Sequence, residues 1–477
     1  MTTDLETMQG GDATEPLTLP PLTRAERAAA GKTLRSQTPR TSHAGWSPST
    51  DRVDPIDLLE GQNRSRVTDL VPIRFGRMMT SPFAFLRGSA LVMARDLART
   101  ASTGITVQAC GDAHLLNYGI FGTQERNLVF GINDFDETYP GAWEWDVKRL
   151  TASAVVAARF IGASESQAAE AARSAVRSYR LRMAEFAQLG NLELWYTYLD
   201  AVKILSVLSP VTRARAEAII AKARGRTNLQ VMAKTTELVG SDFRIIESPP
   251  LIVRVPESVG GDNLEELLAR WLATYGASLA SDRRDLLAKY RMIDAVRKVV
   301  GVGSVGTRCF VILLRGEDER DPLFLQVKEA ASSVLERRGG GRVHHGKRVV
   351  EGQRLLQAAP DIFLGWGRIS RGGGPAIDFY VRQLRDMKGG VTVEPGVNRP
   401  SGVIEYTALC GWALALAHAR SGDASMISGY LGSGDTFDEA VTRFAVDYAD
   451  QTERDHEALI KAVKSGRVHA ESDGSTS

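Results

Sequence analysis

Asp112, Asn117 and Asp134 are the residues of this sequence whose types and spacing suit a chemical task. The first two stand in Gly111-Asp112-Ala113-His114-Leu115-Leu116-Asn117. The third closes an apolar run, Leu128-Val129-Phe130-Gly131-Ile132-Asn133-Asp134-Phe135-Asp136. An Asp, an Asn five residues on and a later Asp at the end of a strand are what phosphoryl transfer asks of a protein. The first Asp orients or deprotonates a hydroxyl, while the Asn and the second Asp hold magnesium against nucleotide phosphates. Asp136 is a further carboxylate, expected to contact a second metal or to support the metal ligands, and His114 is expected to act beside Asp112 or to support its loop.

Such a site also needs groups that hold the nucleotide. Gly301-Val302-Gly303-Ser304-Val305-Gly306 satisfies G-x-G-x-x-G. A dinucleotide fingerprint of that form opens a helix, whereas here the run continues into Thr307-Arg308-Cys309-Phe310-Val311-Ile312-Leu313-Leu314, a β-branched and apolar stretch that reads as a strand. A glycine loop between antiparallel strands covers phosphates with its backbone, as in kinases. Phe324-Leu325-Gln326-Val327-Lys328 then ends an apolar strand on one Lys, expected at the α- and β-phosphates. Glu351, early in a following helix, is the expected partner of Lys328, with Glu329 and Glu336 as competitors. Ile377–Gln383 reads as a strand leading to a hinge, with Gln383 near an adenine edge.

The elements that must position these groups follow from periodicity and punctuation. Residues 1–50 and 466–477 are polar and read as tails, the first with a short helix near Arg24–Ala30. Residues 51–245 read as a helical lobe carrying the catalytic and metal loops. Within it Ser81-Pro82 starts a helix, Ile105–Ala109 and Asn127–Asn133 are short strands, and Asp146 opens an alanine-rich helix to about Phe160. Residues 246–295 read as a connector, with a helix from Leu264 to about Val296. Residues 296–390 form a small β-rich lobe and hinge, with strands over Val299–Leu314, Leu323–Lys328 and Ile377–Gln383, a helix across Arg348–Ala359 and a flexible Gly339-Gly340-Gly341 loop. Residues 391–465 supply closing helices that complete the large lobe. The expected class is α+β.

With 477 residues, 43% hydrophobic and 24% charged, the chain can bury a sizeable core. A net charge of +2 gives no reason to invoke nucleic acid or a membrane surface. Three scattered cysteines argue against a disulfide framework and fit a cytoplasmic protein. Oligomeric state is not legible.

Four strings, Ser81-Pro82-Phe83-Ala84-Phe85-Leu86-Arg87-Gly88, Cys110-Gly111-Asp112-Ala113-His114, Asn133-Asp134-Phe135-Asp136-Glu137-Thr138 and Trp143-Glu144-Trp145-Asp146, resemble a bacterial family catalogued as domain of unknown function 2252. So does Asp378-Phe379-Tyr380-Val381-Arg382-Gln383-Leu384-Arg385-Asp386-Met387-Lys388. That resemblance implies no activity. A more remote one is to aminoglycoside and choline kinase-like phosphotransferases, whose loop reads H-G-D-x-H-x-x-N before a strand ending in I-D-F. It implies ATP and Mg2+ as cofactors, a small-molecule hydroxyl acceptor, Asp112 as base, and Asn117 and Asp134 as metal ligands. Cys110 departs from the His of that motif. Because Gly301 and Lys328 follow Asp112 and Asp134 rather than precede them, the implied two-lobe kinase-like fold would be circularly permuted. Separation of Lys328 from Asp134 by more than about 15 Å would dispose of it, since both must reach one Mg-nucleotide.

Blander roles compete with these. Asp112 and Asn117 also suit turns, and Lys328 suits a solvated strand end. Arg87 and Arg149 suit pairing with Asp146 or Glu144 more than phosphate. A metallophosphoesterase shares the G-D-x-H opening but normally needs G-N-H, which is lacking here. A nucleotide-binding pseudokinase is the remaining alternative.

Overall fold

The computed structural model describes residues 22–240, 242–255, 258–259, 262–336, 343–369, 376–384 and 387–472. Its early helices begin where the sequence places caps. Thr23 and Glu26 form a reciprocal capping box at the start of α1 (Arg24–Thr33). Asp54 accepts from the amides of Ile56 and Asp57, ahead of Pro55, at the start of α2 (Pro55–Asn63). After α3 (Val71–Met79), Ser81 accepts from Ala84 N and Pro82 takes the first position of α4 (Pro82–Gly88), and α5 (Ala90–Leu97) follows.

Two small antiparallel pairs then carry the motif loops. β1 (Thr106–Ala109) pairs with β4 (Tyr139–Ala142), and β2 (Tyr118–Gly122) pairs with β3 (Leu128–Ile132). The Gly111–Asn117 segment links β1 to β2, and residues 133–138 link β3 to β4, so both emerge from neighbouring strand ends. Beneath them α6 (Trp143–Phe160) and α7 (Glu165–Phe186) pack against a late helix through small residues in the main hydrophobic core.

A six-stranded antiparallel sheet forms the second body of the fold. β5 (Ile252–Arg254), β6 (Arg291–Lys298), β7 (Cys309–Arg315) and β8 (Pro322–Glu329) lie in sequence order, followed across the sheet by β10 (Ile377–Gln383) and then β9 (Gly365–Ile369). α8 (His345–Gln357) links β8 to β9. Trp271, Tyr275 and Phe363 cover one face of the sheet. The chain closes with α9 (Pro400–Ser421), α10 (Ala424–Leu431) and α11 (Thr436–Lys464). The architecture is mixed α+β, with helices and several small antiparallel sheets. Among the described residues no helix is long and apolar enough to cross a membrane.

Some expectations need correction. The helix expected to run to Val296 stops earlier, as separate helices at Leu264–Ala277 and Ser281–Leu287, and Arg291–Lys298 is a strand. Six pairings with β7 override local helical periodicity there. The strand expected from Val299 begins only at Cys309, because the glycine segment forms a loop. Residues 22–50, expected as a tail, are docked: α1 lies on α10 with Gly31 against the Met426 backbone, and Arg35 donates to the carbonyls of Gly429 and Tyr430. In the other tail Glu471 N donates to Pro72 O at 3.0 Å. The Gly339–Gly341 loop lies outside the described residues.

Candidate active site

The Asp112 loop is fixed from below. Asp146, in the first turn of α6, accepts from the amides of Cys110 at 2.6 Å and Gly111 at 2.9 Å, and its Oδ2 lies 3.1 Å from His418 Nε2 on α9. Tyr179 completes the chain through His418 Nδ1 at 2.9 Å. Gly111 has φ +81°, and a Cβ there would come within 2.2 Å of Glu137 O, so the turn demands glycine. Cys110, where a His was expected by resemblance, points its thiol at Asp134 O at 3.5 Å and so ties the two loops together.

Asp112 Oδ1 accepts from Arg149 Nε at 2.9 Å. Burial pushes the Asp112 carboxyl up, and the Arg149 guanidinium opposes that shift. His114 Nδ1 accepts from Leu116 N at 3.2 Å, which leaves Nε2–H facing Asp112 Oδ2 at 3.9 Å, beyond hydrogen-bond reach. Burial, with Arg87 and Arg149 nearby, holds this imidazole neutral. Asn117 donates from Nδ2 to the Asp112 carbonyl at 2.7 Å, which leaves its amide oxygen as the side-chain atom able to accept.

The distant glycine and lysine segments arrive at the same place. Lys328 Nζ lies 4.0 Å from Asp134 Oδ1 and 2.5 Å from Asp136 Oδ2. Asp136 also accepts from Tyr380 OH at 2.5 Å and Ser304 OH at 3.1 Å. Burial disfavours its charge, but Lys328, Tyr380 and Arg382 together hold the Asp136 carboxyl below the usual carboxylate range, and the Asp134 and Asp136 carboxylates hold Lys328 protonated. The Asp136 carboxylate is thus engaged by a lysine and two hydroxyls. Asp134 is the more open carboxylate, its side chain 34% exposed. Asp134 and Asn117 offer oxygen donors of the kind magnesium takes.

A cavity of about 490 Å³ opens at this junction, and Lys328 itself does not line it. Asp112, His114, Asn117, Asp134, Asp136, Gly301 and Gly303 all line it. Gly306 does not. It turns the chain at φ +88°, and its carbonyl accepts from Val67 N at 2.8 Å. The glycine loop lies between antiparallel β6 and β7, as expected, and the early helices clamp it: Arg66 donates to Val305 O and Arg77 to Gly301 O.

Two expected nucleotide contacts lie elsewhere. Glu351 faces solvent, its side chain 58% exposed and paired with Lys347 at 3.5 Å. The residue of α8 that reaches the site is Arg348, three positions earlier. It donates to Asp136 O at 2.9 Å and Ala331 O at 2.8 Å. Gln383 donates through Nε2 to Asp361 at 2.8 Å and lines a separate cleft of about 130 Å³. Arg382, which lines the same cleft, donates to Gln326 Oε1 and Asn133 O.

A bacterial family model, uncharacterized protein conserved in bacteria (DUF2252), matches residues 66–462. The chain belongs to this family. No curated protein and no solved structure is significantly similar to it. The DUF2252 match spans every residue of the cavity wall from Arg66 to His345, and so takes in Arg87 of the Ser81–Gly88 string and two groups that the motifs did not reveal, Arg66 and Arg74. Arg149, expected beside Asp146 or Glu144, pairs instead with Asp112, while Glu144 accepts from Thr103.

Proposed function

We propose that this DUF2252 chain is an ATP- and magnesium-dependent phosphotransferase acting on a small-molecule hydroxyl, with a kinase-like, circularly permuted two-lobe fold. The observation that carries the reading is the convergence of Lys328 on Asp134 at 4.0 Å, across nearly two hundred residues, beside the cavity lined by Asp112, Asn117, Asp134 and the glycine loop. Further support is that the lysine strand β8 is followed in the chain by the helix α8 and then by β9 and β10. Asp112 orients the acceptor hydroxyl and takes its proton, its pKa lifted by burial toward a useful range. Asn117 and Asp134 are the metal ligands, and the metal's contribution is neutralisation of phosphate charge. Lys328 and the backbone of Gly301 and Gly303 hold the phosphates, and Asp136 rather than Glu351 positions Lys328.

Nucleotide binding without turnover is the second reading, favoured by the ion pairs that already engage Asp112 and Lys328. Turnover of Mg-ATP by wild type and Asp112→Asn separates the two. The phosphotransferase reading expects the variant to bind Mg-ATP normally and to lose roughly 10²-fold or more in rate, the usual contribution of a general base. Equal rates in both proteins would remove Asp112 from the chemistry.

A further inference from the structure

The wall of the cavity facing the Asp112 loop is cationic. Arg66, from the turn after α2, Arg74 on α3 and Arg87 on α4 all line it. Their hydrogen-bond partners are neutral. Arg66 donates to the Val305 carbonyl, and Arg74 donates to the side-chain oxygens of Asn63 and Gln62 and to Gly88 O. The Nε of each of the three is buried with no partner. Among the described residues none of them forms an ion pair with a carboxylate, although Arg74 is 0% exposed.

Burying a charge without a counter-charge is costly, and a guanidinium cannot escape by losing its proton. Burial pulls the pKa of all three down, against partial relief for Arg87 from Asp112 and for Arg66 from Glu137, Glu329 and Asp136. By contrast, Arg149 and Lys328 each pair with a carboxylate that lines the cavity, Asp112 and Asp136. Fixed guanidinium forks on one wall are suited to the oxygens of a phosphate.

We propose that Arg66, Arg74 and Arg87 form an anion site that takes a phosphate group of the ligand bound in this cavity. The proposal deepens the phosphotransferase reading, since it places that phosphate beside Asp112, but the anion site requires neither metal nor turnover. The phosphate is either the nucleotide's own or one carried by a phosphorylated acceptor.

Calorimetric titration of pyrophosphate into the full chain at constant ionic strength tests the site, with wild type beside Arg87→Gln, Arg66→Gln and Asp134→Asn. Binding to wild type, at least tenfold weaker in Arg87→Gln and Arg66→Gln and undiminished in Asp134→Asn, is expected. Whichever arginine variant keeps the wild-type circular dichroism spectrum is sufficient for the comparison. Repetition with saturating magnesium and a non-hydrolysable ATP analogue assigns the source: persistent pyrophosphate binding marks an acceptor phosphate, and competition marks the nucleotide's. Absence of binding to wild type, or equal binding to wild type and a folded arginine variant, would overturn the proposal. If Mg-ATP fails to bind while pyrophosphate does, the anion site stands and the nucleotide reading falls.

Discussion

Glu137 follows Asp136 in the chain and lines the same cavity, yet its chemistry is different. Burial lifts its carboxyl to about 7, against the Val334 amide and Arg348, which favour the charge, and with Asp112 and Asp136 adding to the rise. The folded state therefore binds this proton more tightly than the unfolded chain, whose ordinary value is 4.5. The resulting stabilisation is complete below about 4.5 and fades as pH rises to about 7. Glu137→Gln removes this dependence, by at most on the order of 3 kcal/mol at about 1.4 kcal/mol per pH unit. Urea midpoints at pH 5, 6 and 7.5 check it, and parallel decline in both proteins would contradict it. At this scale Asp112, Asn117 and Asp134 were legible because their spacing is local and their loops short. Arg87 is legible only as a partner of Asp146 or Glu144, and Arg66 and Arg74 are not legible, because an arginine reads the same whether it faces water or a cavity closed by residues more than two hundred positions away. Glu351 was misjudged by a register of three residues on α8, where no sequence signal separates the face bearing Arg348 from the solvent face.

Elements were legible where caps and runs agreed, as at Ser81-Pro82 and Leu128–Ile132, and illegible where pairing decides. Arg291–Lys298 has no clean alternation and becomes a strand by lying between two others, with Asp294 accepting from Ile245 N and Arg254. Helix packing in the large body rests on close approach. A Cβ on Gly411 of α9 would come within 2.1 Å of Ala175 O on α7, whereas one on Gly61 of α2 would meet nothing within 4 Å. Gly411→Ala is expected to cost roughly 1–3 kcal/mol by forcing the helices apart. Gly61→Ala is expected to be neutral or to stabilise by about 0.5–1 kcal/mol. Guanidinium denaturation of both variants measures the contrast, and equal effects would show that α7 and α9 adjust freely.

Across the whole molecule the chain is held by contacts between its distant ends. Arg52 donates to Asp96 at 2.8 Å and to Asp455 at 2.6 Å, joining the segment before α2 to α5 and α11. Arg52→Met leaves two nearly buried carboxylates facing each other, an expected loss of roughly 3–5 kcal/mol. A thermal midpoint within a degree of wild type would contradict that. The same long-range logic brings Lys328 to Asp134, and it was readable only as an inference from motif order.

Calorimetric titration of Mg-ATP into wild type, Asp134→Asn and Lys328→Met tests that convergence most directly. Binding that requires magnesium in wild type and is at least tenfold weaker in both variants is the predicted result. No binding to wild type, or binding that neither substitution weakens, would contradict a nucleotide site at this cavity.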